Sequence, residues 1–192
     1  MAISLAKGAS MSLTKAAGPV PLDVVQVRLG WAPADGDQDF DLDASMLLLD
    51  PLGRVGNPDD FVFYNNLSHD SGSVVHAGDN LVGGGADDEV IVVTLNHVPT
   101  RVDRALVLVT IHEAATRGQH FGQVDDAYIR VVNMANEQEL ARFDLTQGAA
   151  GEDCLAFGEL YRDGEEWGFA AVGEYHRGGL AAALASYGLA AS

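Results

Sequence analysis

Apolar residues at every second position govern most of this chain. Val25, Val27, Leu29 and Trp31 fall on one side of an extended segment, with Gln26 and Arg28 on the other. Phe40, Leu42, Ala44, Met46 and Leu48 repeat the pattern. A period of two fits a pleated strand and does not fit a helix. The runs "FVFYN" (61–65), "VIVVTL" (90–95) and "ALVLVTI" (105–111) are β-branched or aromatic, as in buried strands. "YIRVVN" and "ELARFDL" predict a hairpin across Ala135-Asn136-Glu137, and "LAFGELYR" and "EEWGFAAVG" a second across Asp163-Gly164. Helical spacing is confined to "RGGLAAALASYGL", with Gly188 as its C-cap, and to a short piece within "HEAATRGQH" (112–120). With no linker, low-complexity run or solenoid repeat, the expectation is one all-β domain over residues 1–192. Its form is a two-sheet antiparallel β-sandwich with a C-terminal helix and one or two short helices.

Charge narrows what such a sandwich can bind. The net charge is -17, and an uncompensated surface of that sign repels nucleic acid and anionic lipid, so no nucleic-acid partner is expected. Between Asp35 and Glu89 the acids crowd together, and Arg54 is the only Lys or Arg among them. The span also carries Phe40, Phe61, Phe63 and Tyr64, which a disordered acidic tail would lack. Cys154 is the only cysteine, so no disulfide framework exists. The start "MAISLAKGAS" shows no signal-peptide pattern, and no segment reaches the roughly 18 apolar residues of a membrane span. A soluble, cytoplasmic protein is expected.

The densest acid is "DQDFDLDAS" (37–45), with Asp39, Asp41 and Asp43 at alternate positions. The spacing resembles the opening of an EF-hand loop, but Ala44 stands where the sharp turn needs Gly and Asp50 where the loop ends in Glu. On a strand these carboxylates face one way, roughly 7 Å apart, with Phe40 and Leu42 turned into the core. Neighbours at that spacing repel by about 0.6 kcal/mol in bulk water and about 2 kcal/mol at an effective dielectric of 20. Two readings stay open: a solvated row of tolerated charges, or a hard cation such as Ca²⁺ held by oxygens. A second acidic stretch, "GDNLVGGGADDE" (78–89), adds Asp79, Asp87, Asp88 and Glu89 on a backbone that glycine lets curl. It lacks the Lys-Ser/Thr of a phosphate-binding loop. Asn65-Asn66 ends the run "FVFYNN" with further oxygens, and the three pieces would meet where loops cluster at one end of a sandwich. Asp59 and Asp60 are placed outside that cluster.

These residues resemble the TerD family of tellurium-resistance and stress-response proteins over nearly the whole chain. The resemblance rests on "SLAKGASMSLTK" (4–15), "LGW" (29–31), "DFDLDAS" (39–45), "FVFYNNL" (61–67), "GSVVHAGDNLVGGGADDE" (72–89), "FGQV" (121–124), "IRVVN" (129–133), "ELARFDL" (139–145) and "FGELYR" (157–162). It implies a sandwich that binds Ca²⁺ through its acidic loops, with no established catalytic activity. The implied ligands are Asp39, Asp41, Asn66, Asp79, Asp87, Asp88 and Glu89, with Glu113 in "TIHEA" a weaker member of the set. The implied function is Ca²⁺ binding in a bacterial tellurite and chemical-stress resistance system, exerted through other proteins of that system. The chain departs from the family pattern at "SHDSGS" (68–73), where Ser71 replaces an Asp, and at Asp126 and Cys154.

Catalytic motifs are absent from the sequence. "HEAAT" has Thr116 where a zinc-protease helix needs its second His, and no Ser sits in a Gly-x-Ser-x-Gly elbow. The six histidines are read as surface or packing residues, and Cys154 as packing. Two alternatives to a binding protein follow from the acids: a metal-dependent enzyme on a phosphate-containing substrate, and a module bridged by Ca²⁺ to a membrane surface.

Overall fold

The computed structural model describes residues 3–31, 40–79 (backbone alone at 78 and 79), 87–124, 126–145 and 151–189. Its strands are β1 (Ile3–Ser4), β2 (Ser10–Ser12), β3 (Val24–Gly30), β4 (Leu42–Leu49), β5 (Phe61–Val62) and β6 (Val74–Asp79), then β7 (Glu89–Thr94), β8 (Arg104–Ile111), β9 (Tyr128–Asn133), β10 (Gln138–Asp144), β11 (Cys154–Asp163) and β12 (Glu166–His176). Three short helices accompany them: α1 (Leu13–Ala17), α2 (Ala114–Arg117) and α3 (Gly179–Ser186). One sheet runs β1-β10-β9-β3-β7-β6 and the other β2-β12-β11-β8-β4-β5. All described neighbours pair antiparallel except β1 and β10, which are parallel. Among the described residues, no helix is long and apolar enough to cross a membrane.

The alternation explains the layers. Val25, Val27, Leu29, Ile129 and Val131 from the first sheet share one core with Leu42, Ala44, Met46, Leu48, Val107, Val109 and Phe157 from the second. Where alternation gives way to a run, as in "SMLLL", the strand is buried on both faces. Leu47, Leu49, Leu106, Leu108, Cys154 and Ala156 point out of the second sheet and are covered by Ala183 and Leu184 of α3. Burial there, with the charge of Asp153, pushes the Cys154 thiol up to about 12, so it is a packing residue at neutral pH.

Local readings shift by small amounts. β5 holds only two residues, because the chain turns back at once and Phe63 pairs with Asn66. The hairpin loop of β11 and β12 is Gly164-Glu165, one residue later than expected, since Asp163 pairs with Glu166. Gly164 takes the positive φ this loop needs. α1 starts from Ser12, whose hydroxyl accepts the N–H of Lys15.

Asp60 is not a surface acid. Its carboxylate is fully buried and takes both arms of Arg101, at 2.8 and 2.7 Å, the N–H groups of Gly56 and Asn57, and His69 Nε2 at 3.1 Å. Burial alone would raise its pKa. The hydrogen bonds from Arg101 and Asn57, the charge of Arg101 and the bond to His69 together outweigh burial and hold the carboxyl below its ordinary value. A depressed folded-state pKa gives stability that is full above the unfolded value and lost as pH falls through the folded one. Asp60→Asn should therefore lower unfolding stability at neutral pH by about 2–3 kcal/mol, less than a fully buried pair because Arg101 is 45% exposed. Denaturant melts at pH 7 and pH 3 check this: the gap between parent and variant should shrink on acidification, while Asp59→Asn leaves the pH 7 midpoint unmoved.

Candidate functional site

The ends of β3 and β8 and the starts of β4 and β7 lie together at one end of the sandwich, joined by polar bonds between the sheets. Trp31 Nε1 donates to the Phe40 carbonyl at 3.1 Å, across from one sheet to the other. Asp88 is buried; its Oδ2 accepts the Trp31 N–H at 3.3 Å, and its own N–H donates to the Leu29 carbonyl. Glu89 is buried too, and its Oε2 accepts the N–H of Ala44 in β4. His76 Nε2 lies 3.1 Å from the Ala44 carbonyl and 3.8 Å from Glu89 Oε2. Glu89 and His76 thus satisfy the two backbone groups of one residue on the opposing sheet.

The acidic row has a shorter strand beneath it than expected. β4 begins at Leu42, so Asp43 is in the strand and Asp41 just precedes it, its carbonyl accepting the His112 N–H at 2.8 Å. Asp39 lies outside the described residues. Asp43 Oδ2 is 3.5 Å from His112 Nδ1. Both help line a shallow depression of about 310 Å³ with Glu113, Asp153, Tyr64 and Leu180. Glu113 itself is exposed at the N-cap of α2, with a left-handed φ of 51°. The Asp79 backbone stands opposite Glu89 in register.

Asp87 and Asn66 are engaged elsewhere. Asp87 turns to the outer face of the first sheet, where Arg130 Nε meets Oδ1 at 2.7 Å, Arg28 Nη1 meets Oδ2 at 3.3 Å, and the Tyr128 hydroxyl is 3.4 Å away. The hydrogen bond to Asp87, then that to Glu139, raises the already high pKa of Arg130 despite the opposing effect of burial. Arg28 and Arg130 face one another across β3 and β9, a like-charge pair that needs the anion between them. Tyr128 reaches Asp87 by lying over Gly30, where a Cβ would come within 2.4 Å of the phenol oxygen. Asn66 sits on the turn after β5, its Nδ2 donating to the Phe61 carbonyl at 2.8 Å.

Sequence reasoning missed the arginines and His76, because each gains its role from a partner far away in the chain. The signal available was weak: Arg28 and Arg130 interrupt two apolar strands at outward positions. Among the described residues, no three His, Cys, Asp or Glu side chains are grouped so as to hold a metal ion.

Comparison with known proteins places this geometry. The profile of the TerD domain family matches residues 1–187. The tellurium resistance protein TerD of Serratia marcescens is 50% identical over 194 residues, covering 100% of both chains. General stress protein 16U of Bacillus subtilis (strain 168) is 48% identical over 192 residues, covering 98% of each. In fold, the crystal structure of a homologue of telluride resistance protein from Streptomyces coelicolor A3(2) matches with a TM-score of 0.62. That match has 19% identity and covers 83% of this chain and 94% of the other.

The Arg130–Asp87 pair generates a prediction. Both side chains are mostly buried, at 21% and 12% exposure. A double-mutant cycle of Asp87→Asn and Arg130→Gln should return a coupling of about 1–3 kcal/mol by chemical denaturation. The same cycle on Lys15 and Glu166, where the lysine is 75% exposed, should return much less.

Proposed function

Because the chain belongs to the TerD family, we propose that it serves in resistance to tellurium compounds and chemical stress, binding Ca²⁺ at the acidic end of its sandwich. It acts there as a cytoplasmic, non-catalytic protein, through other proteins of the resistance system. The printed names of its relatives, a tellurium resistance protein and a general stress protein, support the biological role. One observation carries the chemical part: the acids of two separate stretches meet at one end of the fold, where Glu89 and Ala44 join the sheets.

The donors suit a hard cation. Ca²⁺ takes six to eight oxygens in loose geometry, and the acids here bring oxygen without a cysteine or histidine cage. Asp39, Asp41, Asp79 and Asp88 are the proposed ligands, with Glu113 at the rim. The proposal gives Asp87, Glu89 and Asn66 the task of fixing the loops that carry the ligands, through Arg130, Ala44 and Phe61, and Asp88 serves both as ligand and as anchor to the Trp31 N–H. Neutralising the crowded carboxylates is what the ion supplies.

Calorimetric titration tests this. Ca²⁺ should bind in preference to Mg²⁺, which demands a tighter octahedron; equal affinity, or a preference for Zn²⁺, would sink the reading. Thermal melts of Asp41→Asn sharpen it. In chelator the variant should melt no lower than the parent, since repulsion is relieved. At free Ca²⁺ of 100 times Kd the parent gains about 2.7 kcal/mol and the variant much less, so the order reverses. Asp59→Asn is the control, being exposed and apart from the cluster.

A further inference from the structure

A histidine and a serine in the turn before β6 line up with Asp60, which lies just before β5. Buried Asp60 lies 3.1 Å from His69 Nε2. On the other side of the ring, Ser71 Oγ lies 2.7 Å from Nδ1. The protonation of this imidazole follows from a donor that has no choice. The Ser71 backbone N–H, 3.1 Å from Nδ1, can only donate, so Nδ1 carries the lone pair. The ring proton is then on Nε2, directed at Asp60, which Arg101 and two backbone N–H groups hold as an anion. His69 is buried and cannot swing away, whereas Ser71 is exposed.

Ser71 Oγ has help on its far side as well. The Ser73 N–H donates to it at 3.2 Å, and the buried Ser73 hydroxyl is 2.8 Å away. The single Ser71 proton is shared between Nδ1 and the Ser73 hydroxyl oxygen, while the Ser73 N–H fixes the Ser71 oxygen beside the ring and leaves it a lone pair for attack. Gly72, at a φ of 68°, turns the chain beside it, and a methyl group added there would meet nothing within 4 Å. The approach is open.

We propose that Ser71 is an activated nucleophile, a site at which the protein accepts an acyl group from a small activated acyl ester. This goes beyond the calcium reading and does not depend on it. The Ser71 oxygen attacks the carbonyl carbon while its proton passes to His69 Nδ1. The bond from that carbon to the leaving oxygen then breaks, and the leaving alcohol takes the proton from His69. The products are an ester on Ser71 and a free alcohol, with no oxidant or metal consumed. An open turn gives a small electrophile access without selecting it by shape, which fits covalent modification better than rapid turnover.

The test is acetylation of the folded protein by 4-nitrophenyl acetate in chelator, with nitrophenolate release followed by absorbance and the acetyl group mapped by peptide mass spectrometry. Ser71 should be modified ahead of Ser68 and Ser10, two exposed serines of the same molecule that serve as internal controls. Ser71→Ala should abolish the stoichiometric release. Loss of the base in His69→Gln should slow it by about 10²-fold or more. Urea-unfolded parent protein should lose the preference for Ser71, a result that stands even where His69→Gln fails to fold. Equal modification of Ser71 and Ser68 in the native protein, or undiminished labelling in a natively folded His69→Gln, overturns the proposal.

Discussion

The N–H and C=O of Ala44 cannot be left dry. β4 is next to last in its sheet, yet Ala44 is buried, and a buried backbone group without a partner costs as much as a lost hydrogen bond. On one side Ala44 pairs with Val109 of β8. On the other, β5 reaches only Met46 and Leu47 before the chain turns away. Glu89 and His76 fill the gap from the opposing sheet. Two sheets that otherwise touch through apolar side chains are thereby joined by polar bonds at the end where the acids gather. The start of β7, and with it the acidic stretch that precedes it, is held in position by the need to satisfy one alanine.

The charges are managed in two ways. On the outer face of the first sheet, Asp87 is matched by Arg28 and Arg130, and Glu139 and Glu137 extend the pairing. On the edge, Asp60 is matched by Arg101 inside the protein. At the loop end the acids of two stretches meet with His112 and His76 as the nearby bases that the described contacts show. Acid that is paired builds the fold, and the crowd at the loop end is where an added cation would do most.

Much of the architecture was legible in the sequence because period two is local. Val25 to Trp31, the run at 105–111 and both long hairpins form the strands their patterns predict, and the C-terminal helix covers the outer face whose leucines break the alternation. What the sequence hid is set by register, which local pattern does not encode. In the sequence Asp60 is one of two adjacent acids placed outside the cluster, yet Asn57, His69 and Arg101 bring its partners from three parts of the chain. Asp87 reads as a ligand beside Asp88, and the fold sets it against Arg28 and Arg130, which come from two distant strands. The legible part of the site is its composition. Its division into paired and clustered acids required the fold.

The outermost strand at one edge of each sheet comes from the first residues of the chain. Ile3 pairs with Ala141 of β10, and Ser12 with Gly168 of β12. Neither can find its partner until most of the sequence has left the ribosome. Contacts of such long sequence separation are slow to form, and unpaired edges invite association in the meantime. The opening segment is a clasp that can close only after β10 and β12 have been made. A nascent chain of this protein passes through a stage in which both sheets have one open edge, and its high negative charge keeps neighbouring chains apart during that interval.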